Sequence, residues 1–220
     1  MAEWGPEHLR SALRLYLLAD TGLAPAERLP HIVSAALRGG ATAVQLRAKS
    51  ATTLELLELA RALNAVCHAA GVPFIVNDRV DVALAAEADG AHVGHIGEED
   101  LSPHDARRLL GPDAIVGVSV GTPQEAHMAT SQGASYVSAG PMFATSTKPN
   151  AGPAAGESLL RSVRAATGLP LVVIGGITPQ RAAALFAAGA DGVCVGAAIV
   201  RAPDPEAAAH AFFEPGGVTS

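Results

Sequence analysis

Four times along this chain a Gly-Ala pair closes an Ala- and Leu-rich stretch and opens a short run of β-forming residues. The pairs are Gly40 and Ala41, Gly90 and Ala91, Gly133 and Ala134, and Gly189 and Ala190. Glycine at such a joint serves as a helix stop. A unit that repeats helix, Gly-Ala, strand is a βα unit. Strands are predicted at Arg14–Ala19, Ala43–Leu46, Phe74–Asn77, Ala91–Val93, Ala114–Val118, Tyr136–Ala139, Leu171–Ile174 and Gly192–Val195. Most are apolar almost throughout, as expected of parallel strands buried on both faces. Between them the pattern predicts helices at Ala26–Arg38, Thr53–Ala70, Val80–Ala88, Pro103–Leu110, Pro123–Gln132, Glu157–Ala166, Pro179–Ala188 and Pro205–Phe212. In the second of these Leu56, Leu59, Ala60 and Leu63 recur at helical spacing. Eight units in about 200 residues close as a (β/α)₈ barrel. The competitor is an open doubly wound sheet, but no G-x-G-x-x-G follows the first strand, where Asp20, Thr21 and Gly22 stand instead. Residues 1–220 are therefore read as one barrel domain, with a loose tail from about residue 214.

Composition removes whole classes of function. The chain is 49% hydrophobic and 16% charged, with mean hydropathy +0.28, which excludes a disordered chain. Its net charge of −6 draws in neither nucleic acid nor an anionic membrane. The most apolar stretch, Ala182 to Val200, is interrupted by Gly189, Asp191, Gly192 and Gly196, so no transmembrane span is expected. Cys67 and Cys194 form no C-x-x-C pair and read as small buried residues. The N-terminus lacks a basic segment followed by an apolar run, so a reducing cytoplasm is the expected location.

In such a barrel, chemistry sits at the C-terminal ends of the strands. Gln45, Leu46, Arg47, Ala48 and Lys49 end strand 2, and Asn77 and Asp78 end strand 3. Glu98, Glu99 and Asp100 follow strand 4, and Ser119 ends strand 5. Thr145, Ser146, Thr147 and Lys148 follow strand 6, Gly175 and Gly176 strand 7, and Gly196 and Ala197 strand 8. Of 15 basic residues only two, Lys49 and Lys148, are lysine, and both fall on this rim. Ordinary surface lysines would account for them only by chance. A compact ammonium suits phosphate oxygens. Gln45, Arg47 and Lys49 alternate, which puts them on one face of an extended segment, and an inward Arg and Lys need an anion. Asp78 and Asp100 are candidate ligands for Mg²⁺, which takes one or two carboxylates plus phosphate oxygens. The alternative for Asp78 is a cap on the next helix; Asp100 could equally be a loop or N-cap acid, and Glu98 and Glu99 compete with it. Thr145 to Thr147 and the glycines after strands 7 and 8 suit a phosphate monoester. No histidine spacing indicates a metal centre; His92 reads as structural and His95 takes no role. Two phosphate sites without an obvious nucleophile point to a group transfer that expels diphosphate. The expected partners are small molecules. Oligomeric state is not legible, and a homodimer is a guess that no residue carries.

The chain resembles the thiamine-phosphate synthase family. The resemblance lies in Gln45 to Lys49, Pro73 to Asp78, His92 to Gly94, Gly117 to Ser119, Gly140 to Lys148 and Ile174 to Thr178, with Gly189 to Val193 extending it to strand 8. It implies a (β/α)₈ barrel that joins hydroxymethylpyrimidine diphosphate to thiazole phosphate. By position it implies that Gln45 to Lys49, Asn77, Ser119 and Lys148 hold the pyrimidine diphosphate. Asp78 and Asp100 would hold Mg²⁺. Thr145 to Thr147, Gly176, Gly196 and Ala197 would hold the thiazole phosphate. Lys148, Lys49, Arg47 and Ser119 carry the catalytic expectation.

Three departures from the family pattern stand out. The loop after strand 4 is three residues longer, Val120 and Gly121 stand where the family has a small residue and a histidine, and Ala197 replaces a phosphate-binding serine. The related thiazole tautomerase is the nearest alternative enzyme. It uses that missing histidine and lacks the Asn-Asp pair. A non-catalytic barrel that senses phosphate ligands is the other alternative.

Overall fold

The computed structural model describes residues 4–95, 101–145 and 154–213. Within them eight strands close into a barrel in chain order: β1 (Leu15–Asp20), β2 (Ala43–Arg47), β3 (Phe74–Asn77), β4 (Gly90–His95), β5 (Ile115–Val120), β6 (Tyr136–Ala139), β7 (Leu171–Ile174) and β8 (Gly192–Val195). Every neighbouring pair is parallel, and Tyr16 of β1 sits against Cys194 of β8, which closes the ring. An open doubly wound sheet is thereby excluded.

The period of two along each strand divides the core into two layers. Leu15, Leu17 and Ala19 of β1 pack outward under the helices, whereas Tyr16 and Leu18 pack inside the ring. Leu171 and Val173 of β7 face outward in the same way, and Val172 and Ile174 inward. The outer layer is built mostly from Ala, Val, Leu and Ile, joined by Cys67, Phe74, Met142 and Phe212. The inner layer holds Tyr16, Leu18, Ala43, Ile75, Ile115, Tyr136, Val172 and Cys194.

The helices are α1 (Pro6–Ala12), α2 (Leu29–Arg38), α3 (Thr53–Ala70), α4 (Val80–Ala85), α5 (Pro103–Leu110), α6 (Pro123–Ser131), α7 (Gly156–Ala166), α8 (Pro179–Ala187), α9 (Ala197–Val200) and α10 (Pro205–His210). Helix α3 begins with a capping box between Thr52 and Glu55. Of the four Gly-Ala joints, Gly40, Gly133 and Gly189 take positive φ just past a helix, as the helix-stop reading requires. Gly90 does not: it is the first residue of β4, and a Cβ there would lie 1.8 Å from the Ile115 carbonyl oxygen. Its glycine serves close approach between strands.

Helix α1, which no sequence pattern announced, closes the N-terminal end of the barrel. Leu9 and Leu13 enter the inner layer. Trp4 Nε1 donates to Asp89 Oδ1 at 3.0 Å, and Arg10 Nη1 donates to Asp191 Oδ2 at 2.6 Å. The other end is left for polar residues. No helix among the described residues is long and apolar enough to cross a membrane.

Candidate functional site

Following the inward positions toward the strand C-termini gives the site. After Tyr16 and Leu18 comes Asp20; after Ala43 come Gln45 and Arg47; after Ile75 comes Asn77; after Ile115 and Gly117 comes Ser119. His92 of β4 and Ser138 of β6 share this inward set, and both are buried. The barrel interior thus turns from apolar to polar along its axis, at the end where this fold places its chemistry.

Arg47 and Asp20 are register partners across β2 and β1. Arg47 Nη1 donates to Asp20 Oδ2 at 2.7 Å, and Asp20 Oδ1 accepts from the Gly22 N–H at 2.8 Å. Asp20 is only 2% exposed. Its carboxylate fixes one edge of the guanidinium, whose side chain keeps 19% of its surface open. Lys49 lies beyond the end of β2, in a turn, so the strand alternation does not reach it. Its ammonium pairs with Asp78, and the lysine side chain is 58% exposed against 16% for the aspartate. The anions that the sequence demanded for Arg47 and Lys49 are therefore Asp20 and Asp78 themselves.

Asp78 takes φ 60° between β3 and α4. Helix α4 is preceded by Arg79 at its N-cap, without a side-chain cap, so the capping alternative for Asp78 fails. The carboxylate is instead turned to the rim. Behind the rim, Gln45 Nε2 donates to Tyr16 Oη at 2.9 Å, and His92 Nε2 lies 3.0 Å from Ser119 Oγ. Burial raises the pKa of both Tyr16 and Tyr136, so each phenol stays protonated.

On the opposite arc the loop after β6 packs on the loop after β7. The Met142 and Phe143 N–H groups donate to the Ile174 and Gly175 carbonyls at 2.8 and 3.0 Å. Gly176 takes φ 63°, and a Cβ there would lie 2.7 Å from the Ala144 carbonyl oxygen, so only glycine fits. Arg181 of α8 donates to the Gly176 carbonyl at 2.6 Å and stacks its guanidinium 4.3 Å from the Phe143 ring centroid, tying the two loops together. Gly196 precedes α9, whose first residue is Ala197.

The family model for thiamine monophosphate synthase matches residues 15–199, from the first strand into the short helix α9 that follows the last. The chain belongs to the thiamine monophosphate synthase family. A thiamine-phosphate synthase of Moorella thermoacetica is 50% identical over 200 residues, covering 91% of this chain and 94% of that one. The thiamine-phosphate synthase of Roseiflexus castenholzii is 49% identical over 200 residues, covering 91% and 86%. The structure of thiamine phosphate pyrophosphorylase from Pyrococcus furiosus superposes with a TM-score of 0.82 at 36% identity, covering 92% of this chain and 95% of that chain.

Within this family member, Gln45, Arg47, Lys49, Asn77, Asp78 and Ser119 gather on one arc of the rim, and Thr145, Gly176, Gly196 and Ala197 come from the loops after β6, β7 and β8. The side chain of Leu46 packs in the outer layer, so only its backbone faces the site; Ala48 packs partly against the same layer. Ser146, Thr147 and Lys148 lie outside the described residues, as do Glu98, Glu99 and Asp100 and the tail from residue 214. Sequence reasoning missed Asp20, Tyr16 and Tyr136, and read His92 as structural. Inward parity within each strand was the signal that could have found them.

Proposed function

We propose that this chain is a thiamine-phosphate synthase: a transferase of thiamine biosynthesis that joins hydroxymethylpyrimidine diphosphate to thiazole phosphate and releases diphosphate. Near-complete, two-way coverage by relatives of that name at about half identity carries this reading. The bond between the pyrimidine methylene carbon and the diphosphate oxygen breaks, and the electron pair leaves with diphosphate. The thiazole nitrogen then gives its lone pair to that carbon, forming the C–N bond. Such a reaction asks the protein for positioning and charge stabilisation rather than for a side-chain nucleophile.

Arg47, anchored by Asp20, and Lys49, with Lys148, neutralise the departing diphosphate. Gln45, Asn77 and Ser119 orient the pyrimidine. Thr145 to Thr147, Gly176, Gly196 and Ala197 receive the thiazole phosphate, largely through backbone N–H groups and hydroxyls. The donor set also fits Mg²⁺. Asp78 presents a hard carboxylate at the rim, and Asp100 is the proposed second ligand. Bound there, Mg²⁺ would add charge neutralisation on the leaving diphosphate. The whole chain works as one barrel domain, in a reducing cytoplasm that keeps Cys67 and Cys194 as the free thiols they are.

The test is product formation from the two substrates. Thiamine phosphate and diphosphate should appear in equal amounts only when both substrates and Mg²⁺ are present. Undiminished turnover in excess chelator would remove the metal from the scheme. Absence of product with Mg²⁺ present would leave the tautomerase and the regulatory barrel as the readings to pursue.

A further inference from the structure

In the loop after β7 the carbonyls are taken and two amides are left bare. The Ile174 carbonyl accepts from the Met142 N–H at 2.8 Å, and the Gly175 carbonyl from the Phe143 N–H at 3.0 Å. The Gly176 carbonyl accepts from Arg181 Nη1 at 2.6 Å. A guanidinium only donates and a carbonyl oxygen only accepts, so the direction of this last bond is fixed. Among the described residues the N–H groups of Gly176 and Ile177 have no acceptor. These two amides belong to the loop that the proposed function gives to the thiazole phosphate.

The peptide between Gly176 and Ile177 is trans; among the described residues the cis bond is Gly140–Pro141. In a trans peptide the C=O and the N–H point in opposite directions. By taking the Gly176 carbonyl, Arg181 therefore turns the Ile177 N–H away from α8. Two consecutive glycines, 175 and 176, restrain this peptide little by themselves. Arg181 is itself held in place. Its guanidinium lies 4.3 Å from the Phe143 ring centroid, within cation–π range. Phe143 in turn packs partly buried against the outer layer, and the Ile177 side chain is buried in that layer. The planar fork can donate to the carbonyl while lying over the ring, which a lysine cannot do. Arg181 also stands in the first turn of α8, the end of a helix that favours anions. Helix stability alone does not account for a cation there.

We infer that Arg181 is a positioning residue for the thiazole-phosphate site: it holds the Gly176 peptide so that the bare N–H groups of Gly176 and Ile177 stand as fixed donors to the phosphate. Backbone N–H groups held in this way make an anion-binding concavity. Arg181 thereby sets the affinity for the thiazole substrate and leaves the rate of the transfer alone. The inference rests on the proposed function in assigning thiazole phosphate to this loop. The anchoring of the loop is a property of the free protein.

Steady-state kinetics on the full chain and spectra of the free protein test it. Arg181→Met removes the donor and the charge. Arg181→Lys keeps the charge but loses the stacked fork, and Phe143→Leu removes the ring. Each should raise KM for thiazole phosphate about 3- to 10-fold, the scale of one misplaced hydrogen bond, with kcat and KM for the pyrimidine diphosphate within about twofold of wild type. Phe143→Leu should cost little further in the Arg181→Met background, because the pair acts as one unit. An Arg181→Lys enzyme with the wild-type KM would reduce the residue to an attracting charge and overturn the inference. Equal rises in both KM values, or a lower Tm without the split, would make its role structural and overturn it too. If Phe143→Leu does not fold, the two variants at the exposed Arg181 still decide. In ¹H–¹⁵N spectra of the free chain, the Gly176 and Ile177 amide signals should shift and broaden in Arg181→Met while those of Gln45 and Asn77 stay in place. Unchanged Gly176 and Ile177 signals overturn the anchoring. A wild-type chain that makes no thiamine phosphate defeats the functional reading but leaves these amide signals to judge Arg181.

Discussion

At Asp78 two physical demands meet on one residue. Its φ of 60° lies in the left-handed region, which Asp and Asn tolerate better than other side chains, and its charge pairs with Lys49. Asp78→Asn separates the two: the backbone preference stays and the anion goes. Turnover should fall about 10²- to 10³-fold, or about 3–4 kcal/mol of transition-state stabilisation, with little change in Tm. Asp78→Ala should add about 1–2 kcal/mol of backbone strain and lower Tm as well. An Asp78→Asn enzyme with wild-type, Mg²⁺-dependent kinetics would contradict the metal assignment. Asp20 makes a second residue-scale prediction. Asp20→Asn can still accept the Gly22 N–H but loses the charge that holds Arg47, so KM for the pyrimidine diphosphate should rise about tenfold, as a charge-assisted bond becomes a neutral one. A KM shift confined to the thiazole substrate would refute the role. Lys49 drew attention to the rim by the rarity of lysine, whereas Asp20 was hidden: Asp, Thr and Gly in sequence read as a loop. Its meaning appears only when Tyr16, Leu18 and Asp20 are seen to share the inward parity of β1.

Among elements, the strands were legible because an apolar run bounded by glycine has few other uses, and six of the eight both begin and end within one residue of where the pattern put them, β4 and β5 running on two residues further at their C-terminal ends. The exceptions have local causes. β4 runs from Gly90 to His95, longer than Ala91–Val93, with a register shift between Val93 and His95 that no periodicity shows. Helices α1 and α9 have 7 and 4 residues, too short for a 3.6-residue period to declare itself. The connection after β4 is where an element-scale prediction belongs. Helix α5 begins at Pro103, capped by Ser102, whose Oγ accepts from the Asp105 N–H at 3.1 Å. Asp100 stands two residues ahead of that cap in the sequence. Glu98 and Glu99 fall in the extra length relative to the family. Asp100→Ala should therefore reduce turnover by 10² to 10³ or more, on the order expected for one charge at a metal site. Glu98→Ala and Glu99→Ala should stay within about 0.5 kcal/mol of wild type. A crippled Glu98→Ala or Glu99→Ala enzyme would move the ligand into the inserted segment.

Across the whole molecule the barrel separates its two ends by task. The C-terminal rim carries Arg47 and Lys49, the more exposed halves of their ion pairs with Asp20 and Asp78, and the glycines that a ligand can approach. The N-terminal end carries no proposed chemistry, yet it has a dense charged latch. Asp191 Oδ2 accepts from Arg10 Nη1 at 2.6 Å, from Arg164 Nη1 at 2.9 Å and from the Leu171 N–H at 2.8 Å. One carboxylate so ties α1, α7 and the start of β7 together. None of these contacts could be read from the chain, because residues 10, 164 and 191 are brought together only by closure of the ring. Asp191→Ala leaves two guanidinium groups and a backbone N–H without that acceptor. Both arginines reach water, with side chains 37% and 24% exposed, so the cost should stay below that of a fully buried pair, at about 2–3 kcal/mol. For a chain of this size that corresponds to a Tm lower by about 4–12 °C. Below the transition, kcat and KM for both substrates should match wild type, since the latch lies at the far end of the barrel from the rim. Thermal unfolding and steady-state kinetics on the same preparation check both halves. An Asp191→Ala enzyme with an unchanged Tm would show the latch to be incidental. One that loses turnover while fully folded would show that the two ends are coupled through the barrel.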